Sequence, residues 1–100
     1  MPDHLARLPE GTKLPADMLL NMGIRHYNQG EMDEALSLFD RAVQDNSSLA
    51  DVYYYRGLVH LGKGSNDQAA ADLNKLLELE PGNAHAEEAR EFLKYLDSGS

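Results

Sequence analysis

The chain repeats itself at an interval of 34 residues, and this period restricts its fold more than any other feature of the sequence. Residues 16–49 align without a gap on residues 50–83, and Ala84 begins a third unit at the same interval. Seven aligned pairs are identical, namely Ala16/Ala50, Asp17/Asp51, Gly23/Gly57, His26/His60, Gly30/Gly64, Asp33/Asp67 and Ala35/Ala69. Several of these residues are small, which suits points where two packed helices approach closely. A period of this length indicates one supersecondary unit used more than once.

Each unit carries two helical patterns separated by a glycine-containing break. In the first unit, Leu19 and Met22 share a stripe with His26, and a second stripe contains Leu38 and Phe39. No stretch alternates with period two for long enough to form a strand. We therefore predict an all-α fold, a short α-solenoid of two antiparallel helix hairpins at 16–49 and 50–83 and a capping helix at 84–96. The domain spans 15–96, preceded by a flexible segment at 1–14 and followed by a disordered tail at 97–100.

The third unit has no second helix after it, and its pattern is typical of a solvated cap. Its apolar residues are predicted to cover the last hairpin while its charged residues face water. The first set is Ala86, Ala89, Leu93 and Leu96, and the second set is Glu87, Glu88, Glu91 and Lys94.

The pattern resembles the tetratricopeptide repeat. The residues that carry the resemblance are Leu19, Met22, Gly23, His26, Ala35, Phe39 and Ala42 in the first unit, and Tyr53, Gly57, His60, Ala69, Leu73, Leu76 and Pro81 in the second. The chain departs from the family at Ser47, where proline is usual, and at Arg56, where leucine is usual. We expect Arg56 either to pair with Asp40 or Asp72 or to present its charge to a ligand.

The resemblance implies a protein-binding scaffold in which the first helix of each hairpin lines a concave face. Carried over residue by residue, this face comprises Asp17, Leu20, Asn21, Ile24, Tyr27, Asp51, Tyr54, Tyr55, Leu58, Leu61 and His85. The family's clamp for acidic tails requires Lys, Arg and Asn where this chain has Leu20, Ile24, Tyr55, His85 and Ala89. The predicted partner is therefore an apolar protein or peptide segment, which basic residues can flank.

Three alternatives remain open on the sequence. The tyrosines at 53–55 can belong in part to the core, with Tyr53 there in either case. The same face can instead bind a second copy of the chain, which would make the domain a homodimerisation module. Residues 1–14, which carry Leu5, Leu8 and Leu14, can lie along the groove or remain disordered.

Charge and composition exclude several classes of function. Nine basic residues stand against seventeen acidic ones, and the net charge of −8 opposes binding to nucleic acid or to an anionic membrane. The chain has no cysteine, no apolar run long enough to span a membrane and no signal-peptide pattern, so a cytoplasmic location is expected. No histidine lies at a helical metal-ligand spacing and no serine lies in a nucleophile motif. We therefore expect no metal, no cofactor and no enzymatic activity.

Overall fold

The computed structural model describes residues 14–98, and within this range the protein has five α-helices and no strand. These are α1 (Ala16–Asn28), α2 (Met32–Asp45), α3 (Ala50–Gly62), α4 (Asn66–Leu79) and α5 (Ala86–Ser98). Helices α1 and α2 form one antiparallel hairpin and α3 and α4 form the next, while α5 packs on α4. The predicted all-α arrangement of two hairpins and a capping helix is confirmed.

The structured region extends beyond the predicted domain at both ends, and the bounds of the capping helix are shifted. Leu14, which we had assigned to the flexible segment, is partly buried against the first hairpin. Helix α5 begins at Ala86 rather than at residue 84, and it continues through Ser98, so residues 97 and 98 are helical. The remainder of the predicted N-terminal segment and of the predicted tail lies outside the described residues.

The repeated glycines Gly30 and Gly64 end the first helix of each hairpin in the same way. Both have positive φ, 80° and 79°, a conformation that glycine adopts without a Cβ penalty. Around Gly30, the amide of Glu31 donates to the carbonyl of His26 at 2.9 Å, and the Gly30 amide donates to Tyr27 at 3.0 Å. The same pair of bonds recurs 34 residues later around Gly64. This C-terminal motif reverses the chain and sets each hairpin turn.

The repeated glycines Gly23 and Gly57 allow the two helices of each hairpin to touch. A Cβ on Gly23 would lie 2.4 Å from the Phe39 ring, and a Cβ on Gly57 would lie 3.3 Å from Leu73. Because Phe39 and Leu73 are completely buried, they fill the space that each glycine leaves.

Two core clusters are joined by α3, so the hairpins cannot separate without exposing apolar surface. Val52 and Val59 of α3 belong to the first cluster, with Leu19, Ala35 and Phe39. The opposite side of α3 contributes to the second cluster, which Ala89 of α5 completes. As the sequence predicted for the cap, Ala86 and Ala89 are buried, Leu93 and Leu96 are partly buried, and Glu87, Glu88, Glu91 and Lys94 are exposed.

Arg56 connects three helices through a partly buried ion pair. Its Nε and Nη2 donate to both oxygens of Asp72 at 2.9 and 2.8 Å, and its Nη1 donates to Asp40 at 3.0 Å. The guanidinium also lies 5.6 Å from the centre of the Tyr53 ring. These bonds, led by those to Asp72, raise the pKa of Arg56. The sequence-based expectation that Arg56 pairs with Asp40 or Asp72 is confirmed, and both carboxylates are used.

Substitution of the two contact glycines by alanine is expected to have unequal effects. Gly23→Ala should lower the free energy of unfolding by about 2 kcal/mol, because overpacking against the buried Phe39 ring outweighs the better helix propensity of alanine. Gly57→Ala should change it by less than about 1 kcal/mol, because the Leu73 side chain can yield to a Cβ at 3.3 Å. Urea unfolding followed by circular dichroism measures both values, and equal losses would contradict this packing.

Replacement of Arg56 tests the buried ion pair. Arg56→Met is expected to lower the free energy of unfolding by about 3 kcal/mol, because Asp72, only 5% exposed, would keep its charge without a cation. Asp40→Asn removes only the exposed partner and should cost less than about 1 kcal/mol. The double change Arg56→Met with Asp72→Leu should recover most of the loss. If Arg56→Met and Asp40→Asn are equally mild in urea unfolding, the pair does not hold the three helices together.

Candidate protein-binding face

The eleven residues predicted to form the binding face come from α1, α3 and the turn before α5. We call the surface that these three segments form the inner face. Helix α1 contacts α3, and the ring of His85 before α5 reaches Tyr54 of α3. Helices α2 and α4 pack behind this row as the outer layer. The structure therefore places the three segments that carry the predicted residues next to one another.

Aromatic side chains form a compact cluster at the centre of the inner face. The rings of Tyr54 and His85 stack in parallel, with centres 4.2 Å apart and 7° between their planes. The edge of Tyr55 meets both rings, at 5.2 Å from Tyr54 and 5.4 Å from His85. On its other side Tyr55 stacks on Phe39 at 6.3 Å. Offset and edge-on pairs of this kind fix ring orientation, so the cluster is preorganised.

Two residues predicted to contact a partner are instead buried within the domain. Tyr54 is 7% exposed, because His85 and the α5 side of the core cover its ring. Leu20 is also 7% exposed and lies in the first core cluster. Both side chains therefore support the inner face from below, and the sequence-based expectation that they form accessible surface has to be corrected.

The other predicted apolar residues are partly buried and keep a minor part of their surface in solvent. Ile24 and Tyr27 pack with one side against the first cluster, and Leu58 packs against the second. Tyr55 touches both clusters, and Leu61 is likewise partly buried. Core contact on one side limits the motion of these side chains, while their other side remains free to contact a ligand.

Asn83 holds the turn that places His85 on Tyr54. Its Oδ1 accepts the backbone amide of His85 at 2.8 Å, and its Nδ2 donates to Asp51 of α3 at 2.9 Å and to Glu80 at 2.7 Å. The sequence analysis did not identify this role of Asn83, because the bond to Asp51 spans 32 residues.

Two carboxylates of the inner face and one on the adjacent surface of α5 form no salt bridge with another described residue. Neither Asp17, Asp51 nor Glu88 forms a salt bridge within residues 14–98. On other surfaces, Lys63 pairs with Asp33 at 2.6 Å, and Arg56 pairs with its two aspartates. Within residues 14–98, no cation is paired with the negative charge of these three carboxylates.

Burial and nearby carboxylates raise the pKa values of two tyrosines in the aromatic cluster. Burial raises the pKa of Tyr54, and the carboxylate of Glu88 raises it further. Burial likewise raises the pKa of Tyr55, with Asp51 and Glu88 contributing. Both phenols therefore remain neutral hydrogen-bonding groups next to the carboxylates.

Sequence reasoning missed two residues that extend the inner face onto α5. Phe92 and Tyr95 lie 34 residues after Leu58 and Leu61, so the repeat register places them in line with those two leucines. Phe92 is partly buried, and Tyr95 is 71% exposed. Continuing the repeat register through the whole third unit would have identified both residues.

The histidines serve packing within the described part of the chain. His60 is buried with Nε2 3.8 Å from Asp72, while Nδ1 of the half-exposed His26 lies 2.6 Å from Glu31. Residues 14–98 contain no group of three or more acidic or histidine side chains able to hold a metal. In the same range no helix is long and apolar enough to cross a membrane.

Comparison with known proteins agrees with this geometry. A family model described as tetratricopeptide repeat matches residues 20–84, which is more than half of the chain. The chain belongs to the tetratricopeptide repeat family. Domains of this family mediate protein–protein interaction and act as scaffolds.

Similar proteins carry this repeat within much longer chains. The "Tetratricopeptide repeat and J domain-containing co-chaperone DNJ1" of Fusarium oxysporum f. sp. lycopersici is 35% identical over an alignment of 79 residues. The alignment covers 77% of this chain and 15% of that protein. The "DnaJ homolog subfamily C member 3" of Gallus gallus is 33% identical over 69 residues, covering 69% of this chain and 14% of that one. This tetratricopeptide repeat chain therefore spans about a seventh of the length of these relatives.

The fold also matches a solved structure. The crystal structure of MamA superimposes with a TM-score of 0.68 at 24% identity, covering 84% of this chain and 57% of that one. This similarity concerns the fold alone.

Alkaline titration tests the environment of Tyr54 and Tyr55. Because the folded state holds these protons more tightly than the unfolded chain, their contribution to stability is complete below about pH 10 and is lost as the pH rises through the raised folded-state pKa values. Tyr54→Phe and Tyr55→Phe should each make the alkaline loss of stability shallower and remove a late phase from the tyrosinate absorbance titration. His85→Ala should shift the Tyr54 phase to lower pH by uncovering its ring. Unchanged titration curves in all three variants would contradict the described cluster.

Proposed function

We propose that this domain is a scaffold module that binds an apolar segment of another protein, flanked by basic residues, along its inner face. The observation that carries the proposal is the combination, on one surface, of partly exposed apolar side chains with carboxylates that have no salt-bridge partner among residues 14–98.

The apolar part of the inner face supplies the binding free energy in this proposal. Core contacts hold four of these side chains in place, namely Ile24, Tyr27, Tyr55 and Leu58. The domain therefore loses little side-chain entropy when a ligand covers them. Tyrosine adds area together with a hydroxyl, which is the combination enriched at the centres of protein interfaces.

The charged part selects the partner. An acidic ligand would bring its charge towards Asp17, Asp51 and Glu88, and the eleven residues that define the inner face include no Lys or Arg to offset that repulsion. A ligand with Lys or Arg beside its apolar residues would instead gain attraction and faster association. The absence of the family's clamp residues at Leu20 and Ile24 agrees with this preference.

The relatives support a role in contact with other proteins. One of them is named as a co-chaperone, a class of protein that acts together with other proteins. The role proposed here is one of binding without catalysis, and the cytoplasmic location stays a prediction from the sequence.

Charge reversal on opposite sides of the domain tests the proposal. The probes are fluorescein-labelled peptides in which leucines alternate with lysines, with the leucine–glutamate and serine–lysine versions as specificity controls. Only the leucine–lysine peptide is expected to bind in an anisotropy titration. Asp17→Lys with Glu88→Lys should weaken its binding about tenfold, because each change replaces attraction by repulsion at the site.

The matched control is Glu34→Lys with Asp45→Lys, which changes the net charge equally at exposed positions of α2. These charges lie on the outer layer, away from the inner face. Because salt at about 0.1 M screens interactions between charges more than about 10 Å apart, the affinity for the peptide should change less than about twofold. Equal weakening by both pairs would show attraction to net charge alone and would contradict an inner-face site. If no peptide binds and sedimentation shows a dimer that the Asp17→Lys and Glu88→Lys pair dissociates, the domain is a self-assembly module instead.

A further inference from the structure

A surface cavity of about 580 Å³ lies at the α5 end of the inner face. Its lining consists of Leu61 from α3, Asn66 from α4, and Glu91, Phe92 and Tyr95 from α5. This volume lies within the range of about 300–1,000 Å³ that is usual for ligand sites. Tyr95 stands at its edge and is one of two large apolar side chains that the described residues leave exposed, the other being Met18 at the far end of the fold.

The internal repeat explains why this cavity exists. The residues 34 positions before Leu61 and Asn66 are Tyr27 and Met32, and both pack against the first core cluster. Met32 reaches across to α3, where its Cε lies 4.0 Å from the position of a Cβ on Gly62. In the second unit a leucine replaces the tyrosine and an asparagine replaces the methionine. The second helix junction therefore lacks the two large side chains that occupy the first.

The charge around the cavity is of one sign. Glu91 lines it, and an adjoining cavity of about 610 Å³, which shares Asn66 and Tyr95, includes Asp67 in its lining. Among the described residues, no Lys or Arg lines either cavity. A basic group next to an apolar one is the chemistry that complements this lining.

We propose that this cavity is an anchor site for one aromatic side chain of the partner segment, with an adjacent Lys or Arg paired to Glu91. The anchor ring would contact Phe92 and Tyr95 in edge-on or offset geometry and would cover Leu61. This proposal rests on the proposed function, and it adds a specific side chain and location to it. It also gives Phe92 and Tyr95 a role in selecting the partner.

The test fills the cavity by replacing Leu61 and Asn66 with the larger residue types found at the equivalent positions of the first repeat, Tyr27 and Met32. The probes are a lysine-flanked peptide with a central phenylalanine and the same peptide with a central alanine. On the unmodified chain the phenylalanine peptide should bind about tenfold more tightly, as expected for burial of one aromatic side chain. On Leu61→Tyr with Asn66→Met this preference should fall to less than about twofold, while thermal stability is kept or raised.

Two further variants keep the result interpretable. Tyr95→Ser lies at an exposed position, so it should leave folding intact and reduce the preference for phenylalanine about threefold or more. Gln44→Met adds an exposed methionine on the outer layer and should leave the preference unchanged. Amide shifts of Phe92 and Tyr95 on addition of the phenylalanine peptide should locate the site.

The outcomes separate the two proposals. If both peptides bind equally to the unmodified chain and Asp17→Lys with Glu88→Lys still weakens them, the inner face binds its partner without this anchor site, and the anchor proposal is overturned alone. If filling the cavity leaves the phenylalanine preference intact, the anchor proposal is again overturned. If neither peptide binds, both proposals fail.

Discussion

The contact of two helices across a glycine is the constraint on which the rest of the structure depends. At Gly23 the Phe39 ring occupies the space of a side chain, and at Gly57 the Leu73 side chain does so less tightly. This contact fixes each hairpin, and the shared use of α3 by both core clusters fixes one hairpin on the next. With α2 and α4 packed on one side, the rest of the described chain, residues 14–98, leaves the opposite sides of α1, α3 and α5 uncovered. The inner face is therefore a consequence of how the helices pair.

Charged side chains at the contacts between helices differ from those on the inner face. Where helices meet, acids are paired with bases, as Arg56 is with Asp72 and Asp40, because a charge without a partner is costly in a partly buried position. On the inner face water can solvate Asp17 and Glu88, so folding does not require a cation there. A ligand that displaces this water would have to supply one. The proposed preference for a basic partner therefore follows from these solvated carboxylates, which pair with no cation among residues 14–98.

Much of the fold could be predicted from the sequence, because the 34-residue repeat specifies which helices pair and where they turn. Gly23 and Gly57 indicated the close contacts, and the unusual Arg56 pointed to its two aspartates. The burial of Tyr54 was not readable, because it depends on the turn held by Asn83, which brings His85 onto the ring. The cavity near Tyr95 was not readable either, since it results from side chains that are smaller than their counterparts one repeat earlier.

Intermolecular NOEs between the labelled domain and a bound leucine–lysine peptide provide the most direct test of the central claim, that the uncovered side of the helix row receives a protein segment. We predict NOEs from the methyl groups of the peptide to Ile24, Tyr27, Tyr55 and Leu58, and none to α2 or α4. Contacts confined to exposed residues of α2 and α4 would contradict it, because the surface left open by helix pairing would then not be the one that binds.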